Sequence, residues 1–246
     1  MSKVKKCYDD EAPLYDERRF NSIIGKYVDE EETKAVIDNL VGKDILELCC
    51  GTGRFSTKIE KLNKNYIGID FSEKMLEQAR KKSNSAKFIY MDVKDVSKLN
   101  KKFDTIFAVR AIKFWGNPEQ VVKDCSSLLK DGGRIILLFI YKNPITIVLF
   151  RLTNIFRFFK KRMKIFKSFT RGTGTEKRYS KKEMVKLASQ ANLKIISISN
   201  LFNPIFAFQN FGQIDIISKF IIWSEQKIKR GWTGCLVAEK VKESKQ

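Results

Sequence analysis

The chain has 246 residues, a formal net charge of +20 and no histidine. The absence of histidine excludes mechanisms that need an imidazole as general base, as the partner of a nucleophile or as a zinc ligand. Its hydrophobic fraction of 43% and charged fraction of 31% are typical of a globular protein and not of a disordered one. A chain of this length can bury a full core as one domain.

The five cysteines are scattered and odd in number, so they predict neither a disulfide framework nor a zinc site, and we expect no metal. Residues 1–10 are polar and charged, unlike a secretory signal. No stretch reaches the ~18 successive apolar residues of a membrane span. We therefore expect a cytoplasmic protein with reduced thiols.

In chain order, the first predicted element is a helix over 29–40 with acidic residues in its first turn. Short apolar runs then alternate with amphipathic stretches, which is typical of a parallel sheet with crossover helices. The predicted strands in this part are 44–48, 65–70, 87–91, 103–109 and 133–140. The helices between them are 72–82, capped by Ser72, and 118–129, which opens with Pro118 after Asn117.

After the fifth predicted strand the composition changes. Residues 145–171 are rich in Phe, Ile, Lys and Arg and contain no acidic residue, and residues 172–180 form a polar loop. Ser180 is predicted to cap a helix that ends at Gln190. Two further strands are predicted over 193–199 and 233–240.

The most informative stretch reads Ile-Leu-Glu-Leu-Cys-Cys-Gly-Thr-Gly-Arg-Phe at 45–55, a strand followed by a glycine turn. Gly51 and Gly53 allow a sharp bend and let a ligand approach the main chain without meeting a Cβ atom. The second predicted strand ends in Asp70, whose carboxylate can accept hydrogen bonds from two ribose hydroxyls. The dinucleotide-binding alternative expects Gly or Ala at position 56, where Ser56 stands.

Acidic residues accompany the predicted strands in a fixed order around this turn. Glu47 lies on the first strand, Asp70 ends the second and Asp92 ends the third, before the run Leu-Leu-Lys-Asp-Gly-Gly-Arg-Ile at 128–135. Over roughly residues 40–140, this order resembles the motifs of class I S-adenosylmethionine (SAM)-dependent methyltransferases. It is similar in particular to small-molecule members of the methyltransferase type 11 kind.

The resemblance implies an α/β fold: a Rossmann-like, doubly wound, seven-stranded sheet that is parallel except for a reversed last strand. It further implies an N-terminal lid and a helical cap insertion after strand five. The implied organisation is a single methyltransferase domain over 1–246. Its parts are lid helices at 1–40, a SAM-binding core at 41–140, a basic and aromatic cap insertion at 141–180 and the C-terminal part of the sheet at 181–246.

The resemblance also implies roles for individual residues, with SAM as the cofactor. Glu47 and Gly51 would flank its amino acid moiety, Asp70 would bind the ribose, Phe71 would pack on the adenine, and Asp92 with its neighbour would face the adenine edge. The segment at 8–16 is similar to the paired Tyr-Asp segment that forms a lid in such enzymes. The implied cofactor-binding set is Tyr8, Tyr15, Glu47, Cys49, Gly51, Gly53, Asp70, Phe71, Met75, Asp92, Val93, Val109 and Arg110.

Two positions depart from the family pattern. Cys49 stands where the family usually has glycine, and Phe55 stands where a third glycine is common. A cysteine fits the first position if the local φ is negative, and its side chain would then lie near the sulfonium end of SAM.

Methyl transfer from SAM depends mainly on positioning and on exclusion of water. The loop after the fourth predicted strand and the end of the fifth supply the substrate-binding candidates Arg110, Lys113, Trp115 and Tyr141. Arg110 and Lys113 are suited to holding an anionic group rather than to removing a proton. The sequence identifies no catalytic base, and the acceptor atom can be O, N, C or S.

The basic and aromatic segment carries an apolar stripe at helical spacing: Val148, Leu152, Ile155, Phe159, Met163 and Phe166. Three interpretations stay open: a cap helix over the active site, contact of 148–167 with an anionic membrane surface, or nucleic-acid binding. The leading hypothesis is methylation of a small, apolar or lipid-like metabolite by a cytoplasmic protein that can also bind peripherally to a membrane. The alternatives are a tRNA or rRNA methyltransferase and a catalytically inactive SAM-fold membrane-binding protein.

Overall fold

The computed structural model describes residues 3–142, 177–201 and 233–241. Within these ranges seven strands form one sheet: β1 (Asp44–Leu48), β2 (Asn65–Asp70), β3 (Lys87–Tyr90), β4 (Phe103–Val109), β5 (Leu129–Ile140), β6 (Leu193–Leu201) and β7 (Thr233–Lys240). The α-helices described are α1 (Lys3–Glu11), α2 (Tyr15–Phe20), α3 (Ile23–Ile37), α4 (Ser56–Glu60), α5 (Glu73–Arg80), α6 (Pro118–Leu128) and α7 (Lys181–Gln190). Three short 3-10 helices cover Ala12–Leu14, Val93–Leu99 and Ile112–Phe114.

The strand order is β3-β2-β1-β4-β5-β7-β6. The pairs from β3 to β5 are parallel, whereas β7 runs antiparallel to both β5 and β6. This arrangement confirms the predicted sheet with a reversed last strand. The chain winds from β1 toward β3 and then crosses over to β4, so the switch point of the sheet lies between β1 and β4, where ligands bind in open α/β sheets.

Apolar layers cover both faces of the sheet. Leu46 and Leu48 of β1 point into one layer, which includes residues of α6 and α7, and Ile45 points into the other with Val36 and Phe55. All five are fully buried. Because helices cover both faces, the central strands read as nearly continuous apolar runs, which is why the sequence revealed them.

Most predicted boundaries are confirmed. Strands β1, β2, β4 and β7 begin and end at the predicted residues. The capping box at the start of α7 is present, because the Ser180 and Glu183 side chains each bond to the other residue's backbone N–H. The fifth strand was predicted to begin at Gly133, which was wrong, since β5 already begins at Leu129, which pairs with Phe103 before a register shift.

The helix predicted over 29–40 is also corrected. It begins at Ile23, because the Ser22 side chain accepts a hydrogen bond from Gly25 N at 3.0 Å and caps it there. Asp29 and Glu32 therefore lie inside α3 and not in its first turn. Glu32 is fully buried, so the helix carries a charged side chain into the protein interior.

Several predictions lie outside the described residues. They are the apolar stripe at 148–166, the membrane contact proposed for 148–167 and nearly all of the cap insertion at 141–180. The four-part organisation of 1–246 stays a prediction. Among the residues that the structure covers, no helix has the length and apolar character needed to cross a bilayer. The same residues contain no cluster of three or more potential His, Cys, Asp or Glu metal ligands.

Candidate functional site

The turn after β1 has left-handed backbone at three positions: φ is 55° at Cys49, 55° at Gly51 and 68° at Gly53. At Gly53 an added Cβ would lie 2.8 Å from the Cβ of Ala79 in α5, so only glycine fits. At Gly51 no atom of the described residues lies within 4 Å of an added Cβ. Gly51 thus combines a conformation that favours glycine with open space in which a ligand can approach the main chain.

The sequence led us to expect a negative φ at Cys49. The structure shows that this was wrong, because the φ of Cys49 is positive. An L-residue in this region costs roughly 1–2 kcal/mol, so the turn is strained at this residue. Burial raises the pKa of the Cys49 thiol, although the Trp115 side chain beside it acts in the opposite direction. The thiol is therefore neutral, and Trp115 lies next to it in the core.

Asp70 joins the turn to the end of β2. One carboxylate oxygen accepts a hydrogen bond from Gly51 N at 2.9 Å and the other accepts one from Ser72 N at 2.9 Å. Burial raises the pKa of Asp70 to about 6, against the effect of these N–H groups. Each carboxylate oxygen keeps a second lone pair, so Asp70 can still accept hydrogen bonds from a diol.

Two carboxylates of the N-terminal helices hold these helices against the turn. Asp9 of α1 accepts a hydrogen bond from Ser72 Oγ at 2.6 Å. Asp16 of α2 accepts one from Thr52 Oγ1 at 2.6 Å. The sequence predicted a lid in this region but did not identify either carboxylate as its contact.

Aromatic rings complete the contact between this lid and the sheet. The ring centroid of Tyr8 lies 6.2 Å from that of Tyr15, 6.3 Å from Phe71 and 5.7 Å from Phe114. These distances are typical of stabilising ring pairs. Tyr8, Tyr15 and Phe71, which the sequence placed in one site, are therefore brought together.

A cavity of about 490 Å³ lies beside the carboxyl ends of β2 and β3. Its lining includes Phe71 and Asp92, two of the predicted adenine contacts, and also Tyr90 and Lys5. Lys5 Nζ donates a hydrogen bond to the Tyr90 hydroxyl at 2.7 Å. The cavity offers an aromatic wall and acidic edge groups to a planar ligand.

The remaining predicted cofactor residues lie directly after β3, in α5 and at the end of β4. Asp92 follows β3 and caps the 3-10 helix that begins at Val93, by accepting from Lys94 N at 3.1 Å. Met75 is buried in α5, where its backbone N donates to Ser72 Oγ at 3.2 Å. Val109 is the last residue of β4.

Glu47 lies on β1 below the turn and is 3% exposed. Its carboxyl accepts a hydrogen bond from the hydroxyl of Tyr66 on β2. The glycine at position 68 makes room for this pair, because an added Cβ there would lie 2.9 Å from the Tyr66 hydroxyl. Burial raises the pKa of Glu47 to about 8, so the carboxyl is largely protonated at neutral pH.

A buried cluster of charges adjoins the other side of the turn. Arg54, directly after Gly53, places its two terminal nitrogens 2.6 Å from Asp29 and 2.6 Å from Glu32. Arg110, directly after β4, places Nε 2.9 Å from the other oxygen of Glu32. The sequence identified Arg110 alone among these residues, because Asp29 and Glu32 looked like helix-surface acids.

The four predicted substrate residues do not form one contact set in the described structure. Arg110 pairs with Glu32, and Trp115 lies beside Cys49. Lys113 Nζ lies 4.8 Å from the ring centroid of the adjacent Phe114. Tyr141 forms an isolated bridge with Tyr179, close to the edge of the described range.

Comparison with known proteins matches residues 45–133 to a family model described as "Methyltransferase domain". Among curated proteins, the chain is 25% identical over 127 residues to a ubiquinone biosynthesis O-methyltransferase of Coxiella burnetii (strain Dugway 5J108-111), covering 50% of this chain and 52% of the relative. The chain thus spans about half the length of that relative.

Two solved structures share the fold. One is magnesium protoporphyrin IX methyltransferase from Synechocystis PCC 6803 with bound SAH (TM-score 0.62, 16% identity, 96% of this chain and 99% of that one). The other is the [4+2]-cyclase SpnF (TM-score 0.68, 15% identity, 98% and 96% coverage). At these identities the likeness shows the fold and not the reaction.

The pKa of Glu47 leads to a prediction about stability. Folded protein retains the Glu47 proton up to about pH 8, whereas an unfolded glutamate loses it near 4.5, so raising the pH favours unfolding in this window. The chain has no histidine, and Asp70, whose pKa is about 6, adds to this effect mainly at the lower end of the range. The free energy of unfolding should fall in this range by up to about 1.4 kcal/mol per pH unit.

Glu47→Gln keeps an oxygen that accepts from Tyr66 but cannot titrate. Urea unfolding at pH 6, 7 and 8 should therefore show a flatter pH dependence for this variant, with a stability advantage that grows toward pH 8. Parallel profiles for the two proteins would contradict the assignment of a protonated Glu47.

Proposed function

We propose that this chain, whose residues 45–133 match a methyltransferase domain, transfers a methyl group from SAM to a small, apolar or lipid-like metabolite. The observation that carries this proposal is the position of Asp70. Its carboxylate lies at the end of β2, bonded to Gly51 N, between the open space beside Gly51 and the cavity next to Phe71. A nucleoside can bind there with its ribose at Asp70 and its base in the cavity.

The described residues fit SAM at each part of the molecule. The space beside Gly51 admits the chain that joins ribose to the methionyl group, and Phe71 and Asp92 offer a ring face and a hydrogen-bond acceptor to adenine. SAM itself supplies an activated methyl group on a sulfonium centre. Cys49 and Gly53 contribute by giving the turn its shape. Val109 and Arg110 contribute by their position at the carboxyl end of β4, next to the switch point.

The lid supplies the exclusion of water that methyl transfer requires. Tyr8 and Tyr15 pack over the site, and Asp9 and Asp16 fix their helices to Ser72 and Thr52. With the lid in place, Asp70 is only 5% exposed. A dry, closed site favours transfer to the acceptor over side reactions with solvent.

The acceptor class rests on two observations. The similar C. burnetii relative is named a ubiquinone biosynthesis O-methyltransferase. In addition, 145–171 combine many aromatic and aliphatic residues with cations and no acid, a composition suited to an amphiphilic acceptor. The net charge of +20 is the observation that favours the alternative, a tRNA or rRNA methyltransferase.

Incubation of the protein with methyl-labelled SAM and separate lipid, metabolite and RNA fractions of cells tests this proposal. Label should enter the lipid or small-molecule fraction. Label confined to RNA would support the alternative. If the protein binds SAM but transfers label into no fraction, it has the methyltransferase fold without this activity. The [4+2]-cyclase SpnF is a protein of the same fold that is named for another reaction.

Asp70→Ala should weaken SAM binding by about 1.5–3 kcal/mol for each charge-assisted ribose contact that is lost. Calorimetry measures the affinity, and Asp131→Ala, which removes an exposed carboxylate at the far end of β5, is the matched control. An unchanged affinity of Asp70→Ala would show that the ribose binds elsewhere.

We also propose that 148–167 bind an anionic membrane surface, where a lipid-like acceptor is found. Each Lys or Arg near such a surface contributes about 1 kcal/mol. The protein should sediment with anionic vesicles more than with neutral ones, and added salt should weaken this binding because it shortens the Debye length.

Changing Lys160, Lys161 and Arg162 together to glutamate should abolish vesicle binding and leave the affinity for SAM intact. Retention of tRNA in gels without vesicle binding would favour nucleic acid instead. If neither ligand binds and a polar residue at Leu152 or Phe159 destabilises the protein, the segment is a cap helix.

A further inference from the structure

Glu32 is a carboxylate with 0% exposure, and it comes from α3, ahead of the matched domain. Such burial is costly unless the charge is paired. Glu32 is paired twice, with a terminal nitrogen of Arg54 at 2.6 Å and with Nε of Arg110 at 2.9 Å. One buried side chain therefore orients two guanidinium groups.

Both arginines lie at the switch point of the sheet. Arg54 follows the turn at the carboxyl end of β1, and Arg110 follows the carboxyl end of the neighbouring strand β4. Arg110 has a φ of 54°, in the left-handed region. Backbone strain of this kind is held by surrounding contacts and concentrates at functional sites. The pairing with Glu32 is such a contact.

Arg110 has both anionic and cationic neighbours. Burial lowers the pKa of Arg110, Glu32 raises it, and the nearby Arg19 and Arg54 lower it. Arg19 lies in the lid, with its guanidinium carbon 4.7 Å from the ring centroid of Tyr15. The guanidinium groups of Arg19, Arg54 and Arg110 at this end of the site are suited to meet an anionic ligand group.

We propose that Glu32 is a positioning residue, which holds Arg110 so that its guanidinium binds the carboxylate of the cofactor's methionyl group. This inference rests on the proposed function, since it assumes SAM as the ligand. The ribose position at Asp70 and the open space at Gly51 direct the methionyl end of SAM toward the switch point. Glu32 acts through Arg110 and is not itself a ligand contact.

Two ligands and two variants of α3 test the proposal. SAM and decarboxylated SAM differ only in the methionyl carboxylate, so the ratio of their dissociation constants reports its recognition. Glu32→Gln removes the charge paired with Arg54 and Arg110. Asp29→Asn, the matched control, removes a charge paired with Arg54 and Lys58 but not with Arg110.

Wild-type protein should bind SAM more tightly than decarboxylated SAM. Glu32→Gln should weaken SAM binding roughly tenfold, the loss expected when one charge-assisted contact is misaligned, and should barely change binding of decarboxylated SAM. Asp29→Asn should leave the ratio of the two constants as in the wild type. In an Arg110→Gln background, Glu32→Gln should have no further effect on this ratio, because the two residues act as one unit.

Calorimetric stoichiometry corrects for any fraction of a variant that is unfolded, so the ratio remains measurable. If Glu32→Gln weakens the binding of both ligands equally, the proposal is overturned. Glu32 would then act on the fold or on the ammonium group that both ligands carry. A wild-type ratio near one would also overturn it, while leaving SAM binding intact. Wild-type protein that binds neither ligand would overturn the proposed function and this inference together.

Discussion

The pair of hydrogen bonds from Gly51 N and Ser72 N to the Asp70 carboxylate is the interaction on which the site depends. It joins the turn after β1 to the end of β2. These two segments follow neighbouring parallel strands. Ser72 in turn caps α5 through Met75 N and donates to Asp9 of the lid. One carboxylate thereby couples the turn, a helix start and the lid.

This coupling has a consequence for ligand entry. Asp70 is nearly inaccessible while Asp9 is bonded to Ser72. Access of a ligand to the Asp70 carboxylate therefore requires displacement of the contact between Asp9 and Ser72.

Buried ionisable groups shape the region below and beside the turn in two different ways. Glu47 has no cationic partner among its described hydrogen bonds, and burial keeps it protonated beside Tyr66. Glu32 is surrounded by guanidinium groups and is compensated by ion pairs. The same residue type thus serves as a neutral hydrogen-bond acceptor on β1 and as an ion-paired residue on α3, because Arg54 and Arg110 lie within salt-bridge distance of Glu32, whereas Arg54 and Lys58 act on Glu47 from further away.

The sequence by itself determined the features that depend on residues close to one another in the chain. Apolar runs marked the strands because helices cover both faces of the sheet, and Gly51 and Gly53 marked the turn because its backbone is left-handed. The spacing of Asp70 after the turn indicated a nucleoside site. Ser180 predicted the start of α7 as a helix cap, and the structure shows that Glu183 completes a capping box there.

The tertiary structure alone decided how distant segments meet. The start of α3 was misplaced because Ser22 was not recognised as its cap. The inward orientation of Asp29 and Glu32 was therefore missed as well. Their partners Arg54 and Arg110 lie 22 or more positions further along, and only the packing of α3 against the switch point brings them together. The left-handed φ of Cys49 likewise follows from the bend that Asp70 fixes across two strands. Such long-range pairings leave no periodic trace in a single sequence, because periodicity reports which face is buried and not what lies against it.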